Sequence, residues 1–458
     1  MQLKVDGHLA IEGGDPVRTR PWPTYDKGAV FVSEEDQNAG LRALRSRLYF
    51  RYDCRPTAQT ETGRLEAKLQ SYFGVRHALA CHSGTTAIAL ALMARVEPGS
   101  VVATQAFSFA ATPSAILLAG CRPLLVEVDD DLHLDVEDLR ARYSPEVKAV
   151  VPVHMRGFAA PMRAVMRFAD EVGIPVIEDV VPALGVSLNA RRLGTFGVAG
   201  AFSTQSDKSI NTGEGGFLLT DDTELFARAV VYSGAYEGRC ARHFEAPSQV
   251  PICDLDYPIF AFRMDEIRAA VAASALDRLP LRLKLQRSVY GRVSRGVADL
   301  APITLRRPVA PGACLGESLL FRVRDGRDGA AAWFARALRR EGIDARNLGD
   351  PAESNIRCFW NWRFLFPGRS VSEIKALLPR TTGLLEETVD IPLAPTLTEA
   401  DCEDAVLAIR KVAAQLDMTA SRSRRFKALA PARLQAAGSS RLTWPVVPRT
   451  QSLPPPAS

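Results

Sequence analysis

The 458-residue chain is 47% hydrophobic and carries 57 basic against 52 acidic residues, enough apolar material for a large core and enough length for more than one domain. No run approaches the ~18 consecutive apolar residues of a membrane span, and MQLKVDGHLAIEGGDP lacks the apolar centre of a secretion signal. The expectation is a globular protein of the cytoplasm with no membrane partner.

The formal charge of +5 is unevenly placed. Between Thr419 and Ser458 lie seven basic residues and no acidic one; removing these seven from the 57 leaves 50 basic side chains against 52 acidic ones. The body has no basic excess to attract nucleic acid. The excess sits in a Pro-, Ser- and Ala-rich tail, residues 418–458, which reads as disordered. The eight cysteines are scattered, without a CxxC pair or a histidine at ligand spacing, so reduced thiols and no metal are expected.

In chain order, residues 1–40, with GGDPVRTRPWP, read as an extended arm, because Pro and Gly interrupt regular elements there. GRLEAKLQSYFG has helical spacing, HALAC is a short strand, and TTAIALALMARV is a helix apolar nearly all round, which implies burial. VVATQ, AATPSAILLAG and RPLLVEVD repeat a strand, helix, strand rhythm, as do VKAVVPVH, PMRAVMRFADEVG and IPVIED. That rhythm predicts an α/β fold with a large, mostly parallel sheet and helices on both faces. GAFST and GFLLTDD add two strands. FRMDEIRAAVAASALDRLPLRLKLQRSVYGRV predicts one long helical region interrupted at Pro280, near the end of a large domain over residues 41–285. SLLFRVR, GAAAWFARALRREG and TEADCEDAVLAIRKVAAQL then belong to a smaller α+β domain over residues 286–417.

Three stretches carry chemistry. HSGTTAIAL sets a glycine and three hydroxyl residues at the start of the buried helix; helix N-termini favour phosphate, and Ser or Thr there is equally ordinary as a cap. VIEDVVPALG ends an apolar strand in Glu178 and Asp179, at the edge where open α/β sheets place ligands. Lys208 follows another short strand, in DKSINTGEGG, where Gly213, Gly215 and Gly216 permit a sharp turn beneath it. A lysine for a Schiff base, an acid to keep a pyridine nitrogen protonated and an anion site are what pyridoxal 5'-phosphate requires. AFSFAAT adds Phe107 and Phe109 as rings to stack on it.

The ordered set HSGTTAIALAL, AFSFAAT, PVHMRG, VIEDVVPALG, FSTQSDKSINTGEGGFLLTDD and FRMDEIRAA resembles the DegT/StrS family of sugar and cyclitol aminotransferases, with its relatives that make 3-amino-5-hydroxybenzoate, over roughly residues 8–417. The resemblance implies the type I pyridoxal-phosphate aminotransferase fold and a homodimer with shared active sites. It implies that Lys208 bears the cofactor and moves the proton, that Asp179 pairs with the pyridinium nitrogen and that Phe109 stacks on the ring. Gly84, Thr85 and Ser203 would hold the phosphate, with Thr86 and Gln205 as further contacts. The implied reaction moves an amino group from glutamate or glutamine to a keto-sugar, cyclitol or similar ketone in an antibiotic, secondary-metabolite or polysaccharide pathway.

Three positions depart from the family pattern. Pro182 stands where Gln or His bonds the ring hydroxyl, Ala261 where an asparagine reaches the neighbouring subunit's cofactor phosphate, and Arg156 where tyrosine is common. Arg156, as a carboxylate clamp, and Tyr49 are candidate substrate contacts. LYFRYD, residues 48–53, and CFWNWRF, residues 358–364, are candidate pocket walls, with core packing as the alternative. The competing functional readings are a lyase or condensing enzyme on the same cofactor and fold, and a cofactor-binding pseudoenzyme or regulatory partner.

Overall fold

Strands with apolar residues on both sides dictate a sheet buried on both faces. In the computed structural model, which describes residues 8–23, 28–244, 252–324 and 327–419, the N-terminal strands are β1 (His77–Cys81), β2 (Val101–Gln105), β3 (Arg122–Val126), β4 (Val147–Val151) and β5 (Ile177–Asp179). A small hairpin of β6 (Ser187–Leu188) and β7 (Arg191–Arg192) separates them from β8 (Ala199–Ser203) and β9 (Gly216–Thr220). β3, β2 and β4 pair in parallel, the bridges Val150 to Val176 and Val153 to Asp179 join β4 to β5, and β5 pairs in parallel with β8. β9 runs antiparallel to both its neighbours, β8 and β1. The order β3-β2-β4-β5-β8-β9-β1 is the mostly parallel sheet the sequence rhythm predicts, with one reversed strand.

The helices of this region are α1 (Glu34–Ser46), α2 (Glu61–Phe73), α3 (Gly84–Arg95), α4 (Ala111–Leu118), α5 (Val136–Arg142), α6 (Met162–Val172), α7 (Thr223–Gly234) and α8 (Glu266–Asp277). Strand side chains alternate between two cores. Ala78, Ala80, Val150, Phe202, Phe217 and Leu219 pack with α2, α6 and α8 on one face, while Leu79, Ala149, Val151, Ala201 and Leu218 pack with α3 and α7 on the other. α3 is buried almost all round, as its composition requires, lying on β8 and β9 between α4 and α7.

α9 (Leu279–Val297) follows α8 after Arg278, and Pro280 lies in its first turn. The interruption therefore falls just before the proline, which sits where a missing N–H leaves no intrahelical bond unmade. α9 spans the boundary expected at residue 286 and leads to an antiparallel sheet of order β10-β11-β13-β12, formed by β10 (Ile303–Leu305), β11 (Ser318–Val323), β12 (Arg346–Asn347) and β13 (Thr388–Pro392). α10 (Ala330–Arg340), α11 (Val371–Lys375), α12 (Pro379–Glu386) and α13 (Glu399–Thr419) complete it, with Phe321 of β11 meeting Phe334 of α10 edge to face. The described residues up to Leu416 belong to one compact unit. The basic tail expected from residue 418 lies, past Thr419, outside the described residues. Among those described, no helix is long and apolar enough to cross a membrane.

The arm differs from expectation at its end. α1 begins at Glu34, inside the first forty residues, because Ser33 and Asp36 form a reciprocal capping box. Upstream, Arg18 is buried and donates to Asp401 at 2.7 Å and Asp404 at 2.8 Å on α13. Glu341, fully buried at the end of α10, accepts from the N–H groups of Ala10 and Val17 and from Lys411 Nζ.

A second buried ion pair sets β1 on α2. Arg51 donates to Glu66 at 2.8 Å and to the Ala80 carbonyl at 3.0 Å, and Glu66 accepts from the Ala80 N–H at 2.8 Å. Removing one partner strands the other charge in the interior. Glu66→Ala is expected to cost about 3–5 kcal/mol, read as a lowered midpoint in urea denaturation, and Glu66→Gln, which keeps one acceptor, to cost less.

Candidate active site

At the carboxyl ends of β5 and β8 the chain encloses a cavity of about 350 Å³, the position that parallel α/β sheets reserve for ligands. Gly84 and Thr85 reach it from the first turn of α3, Phe109 and Thr112 from the start of α4, Asp179 from β5, and Ser203, Gln205 and Lys208 from β8 and the loop after it.

Asp179 is 4% exposed. Its Oδ1 accepts the Val181 N–H at 3.1 Å and its Oδ2 the Thr112 hydroxyl at 2.7 Å. Burial pushes its carboxyl above the ordinary range, while those two bonds, His154 and Lys208 act against the rise. Glu178, one residue back, faces the other way. It is fully buried and accepts from the N–H groups of Gly194, Phe196 and Gly197 and from His154 Nε2.

Lys208 is partly exposed, with Nζ 3.6 Å from Asp207 Oδ1. Its loop closes through Gly216, whose backbone passes so near Ser83 that an added Cβ would lie 2.4 Å from the Ser83 carbonyl carbon. That approach brings the lysine loop against the N-terminus of α3. Gly84 sits in the same crevice, where a Cβ would lie 2.6 Å from Val181 Cγ2 and 3.0 Å from Ser203 Cβ. First-turn N–H groups have no intrahelical acceptor, so Gly84 and Thr85 present donors to a wall that also holds the Ser203 hydroxyl. Both ideas about HSGTT hold: Ser83 and Thr86 cap one another reciprocally, Thr86 Oγ1 accepting from Ser83 N–H at 2.9 Å, while Ser83, Gly84 and Thr85 line the cavity.

Three expectations need correction. Thr86 is taken up by the cap and is not among the cavity-lining residues. Tyr49 also lies away from the cavity wall; its ring is exposed and its hydroxyl donates to the Leu44 carbonyl. Arg156 does line the cavity but is buried, bonded to Asp390 and to Ser318 Oγ, rather than a solvated or uncommitted clamp. Of the candidate walls, Phe359, Trp360 and Trp362 are core residues, and Tyr52 is buried against His243. Pro182 lines the cavity and Ala261 is exposed. Sequence reasoning did not single out Thr112, whose signal is a hydroxyl in the first turn after a strand end. Glu317 and Arg357 also line the cavity, and they lie too far along the chain for any local pattern to place them there.

A buried carboxylate, an amine and a helix N-terminus with a glycine-sized gap around one cavity suit a phosphorylated pyridine aldehyde. Residues 56–410 match the DegT/DnrJ/EryC1/StrS aminotransferase family. The spore coat polysaccharide biosynthesis protein SpsC of Bacillus subtilis is 27% identical over 353 residues, 76% of this chain and 88% of that protein. GDP-perosamine synthase of Caulobacter vibrioides is 27% identical over 352 residues, with the same two shares. A solved structure of DesI in the presence of its TDP-sugar product superposes with a TM-score of 0.70 at 25% identity, over 92% of this chain and 98% of that one. The fold is that of the type I pyridoxal-phosphate aminotransferases. The chain belongs to the DegT/DnrJ/EryC1/StrS aminotransferase family and is an aminotransferase that uses pyridoxal 5'-phosphate.

Proposed function

We propose that this aminotransferase takes an amino group from glutamate or glutamine and delivers it to a keto-sugar, cyclitol or similar ketone, in the cytoplasm, within an antibiotic, secondary-metabolite or polysaccharide pathway. The observation that carries the assignment of residues is the convergence of Lys208, Asp179 and the N-terminus of α3 on one cavity. The sugar acceptor is supported by the names of the relatives, a polysaccharide biosynthesis protein, a perosamine synthase and an enzyme with a TDP-sugar product.

When bound, the cofactor supplies an electron sink for the bond electrons of the substrate carbon. Asp179 holds the ring nitrogen protonated by offering it a buried negative charge. Gly84, Thr85 and Ser203 would hold the phosphate, Gln205 would close the same wall, and Phe109, half exposed in the cavity, would offer the ring a stacking face. Lys208 Nζ takes the proton from the substrate carbon of the amino donor and returns one to the carbon that receives the amine. Asp207 Oδ1 lies 3.6 Å from that nitrogen.

The active unit is proposed to be a homodimer. Leu41 and Leu44 of α1, followed by Leu48, Tyr49 and Phe50, are exposed together, an apolar strip of the kind a second subunit covers. Tyr49, outside its own cavity, lies on this strip.

Three outcomes are expected. Borohydride treatment of the cofactor-loaded protein fixes the cofactor to a peptide containing Lys208, and the single addition of glutamate or glutamine converts the bound cofactor to its amine form; a loaded protein that neither amino acid converts would refute glutamate and glutamine as the donors. Gly84→Ala fills the phosphate crevice and weakens cofactor binding at least about tenfold, or ~1.4 kcal/mol, by equilibrium dialysis. Leu44→Asp moves the protein from dimer to monomer in light scattering.

A further inference from the structure

Behind Asp179 lies a chain of hydroxyls that the transfer chemistry does not use. Thr112 Oγ1 is 2.7 Å from Asp179 Oδ2, and Ser108 Oγ is 2.7 Å from Thr112 Oγ1 and 3.1 Å from the Phe109 carbonyl oxygen. Thr112 is 1% exposed and Ser108 0%, so each group must find its partners within the protein.

A hydroxyl has one proton to donate and two lone pairs with which to accept. When Asp179 is ionised, Oδ2 can only accept; Thr112 donates to it, and Ser108 donates to Thr112. When Asp179 is protonated on Oδ2, every direction reverses: Asp179 donates to Thr112, Thr112 to Ser108, and Ser108 to the Phe109 carbonyl. The same residues satisfy both states. In the ionised state the Phe109 carbonyl keeps the Thr112 N–H at 3.1 Å, so no buried acceptor is orphaned by the reversal.

We propose that Ser108 and Thr112 are positioning residues for the cofactor: a reversible hydroxyl chain that satisfies Asp179 whether its carboxyl is protonated or ionised, so that the group can give up a proton as a pyridinium arrives. This rests on the assignment of Asp179 to the ring nitrogen. Burial favours the neutral form of a carboxylate, and among the influences opposing burial at Asp179 the Thr112 bond comes first. The titratable groups acting on Asp179 from the elements around it are His154, from the segment after β4, and Lys208, from the loop after β8. Glu178, on its own strand, is turned to the opposite face and engaged by His154 and the turn at residues 194–197. Substitutions at the two hydroxyls leave all three in place.

The test measures binding of pyridoxamine phosphate, which needs no bond to Lys208, to the apoprotein as a function of pH by fluorescence; affinity falls on the acid side where Asp179 takes up its proton. Thr112→Val removes a bond to the charged form, which is stronger than one to the neutral form, and moves that acid limb to higher pH by about one unit. Thr112→Ser restores the wild-type position. Ser108→Ala strands the Thr112 proton in the neutral state alone and moves the limb to lower pH. Opposite shifts with rescue by serine are the expected result. Shifts of the same sign, no shift in either variant, or failure of Thr112→Ser to rescue would overturn the proposal. If thermal unfolding finds Thr112→Val unfolded, the comparison of Thr112→Ser, unmoved, with Ser108→Ala, lowered, decides by the same signs. Asp179→Asn is expected to abolish the limb; its persistence there refutes the assignment of Asp179 itself, independently of the hydroxyl chain.

Discussion

Two adjacent carboxylates at the end of β5 must point to opposite faces, because successive residues of a strand alternate. The rest of the site depends on that division. Glu178 is saturated: three backbone N–H groups of the turn at residues 194–197 and the His154 ring converge on it, so both its oxygens are engaged by protein. His154 Nδ1 accepts the Ala160 N–H at 2.9 Å, which places the ring proton on Nε2, facing Glu178. The segment after β4, the end of β5 and the turn before β8 are thereby fastened at one point. Asp179 is left with two bonds, from Thr112 and Val181, and with acceptor capacity directed at the cavity. One carboxylate builds the wall so that the other can act through it.

The same logic extends to the C-terminal sheet. Arg156, in a left-handed backbone conformation, carries its guanidinium to Asp390 of β13 and Ser318 of β11. A buried pair of this sort adds little net stability against an apolar alternative. What it does is tie a residue of the cavity to the far sheet, so the position of that sheet is referred directly to the cavity wall. Glu317, at the start of β11, and Arg357 join the lining by the same route.

Much of this was legible in the sequence, for identifiable reasons. The strand, helix, strand rhythm from HALAC to GFLLT follows from local periodicity, and the structure repeats it strand by strand, including the all-round burial of α3. The meeting of Lys208, Asp179, Gly84 and Ser203 at one cavity was legible because strand ends and helix starts, where composition changes abruptly, fall at the same edge of the sheet. Thr86 was misread because a capping hydroxyl and a ligand-binding hydroxyl look alike in sequence; only the reciprocal bond with Ser83 separates them. Arg156 was misread because its partner lies more than two hundred residues away. The aromatic cluster at residues 358–364 gives no local sign of whether it faces a ligand or the core; Phe359, Trp360 and Trp362 face the core and Phe364 is exposed. α1 starts earlier than the Pro- and Gly-rich arm suggests because two side chains, Ser33 and Asp36, are enough to start a helix.

The clasp between the arm and the end of the chain sets an order for biosynthesis. Arg18 needs Asp401 and Asp404, and the N–H groups of Ala10 and Val17 need Glu341 with Lys411 beside it. On a ribosome, the arm must wait for α13, whose Asp401 is made 383 residues after Arg18. The parallel sheet can assemble while synthesis continues, but the arm cannot take its native place until α13 has emerged, so its closure is a late event of folding.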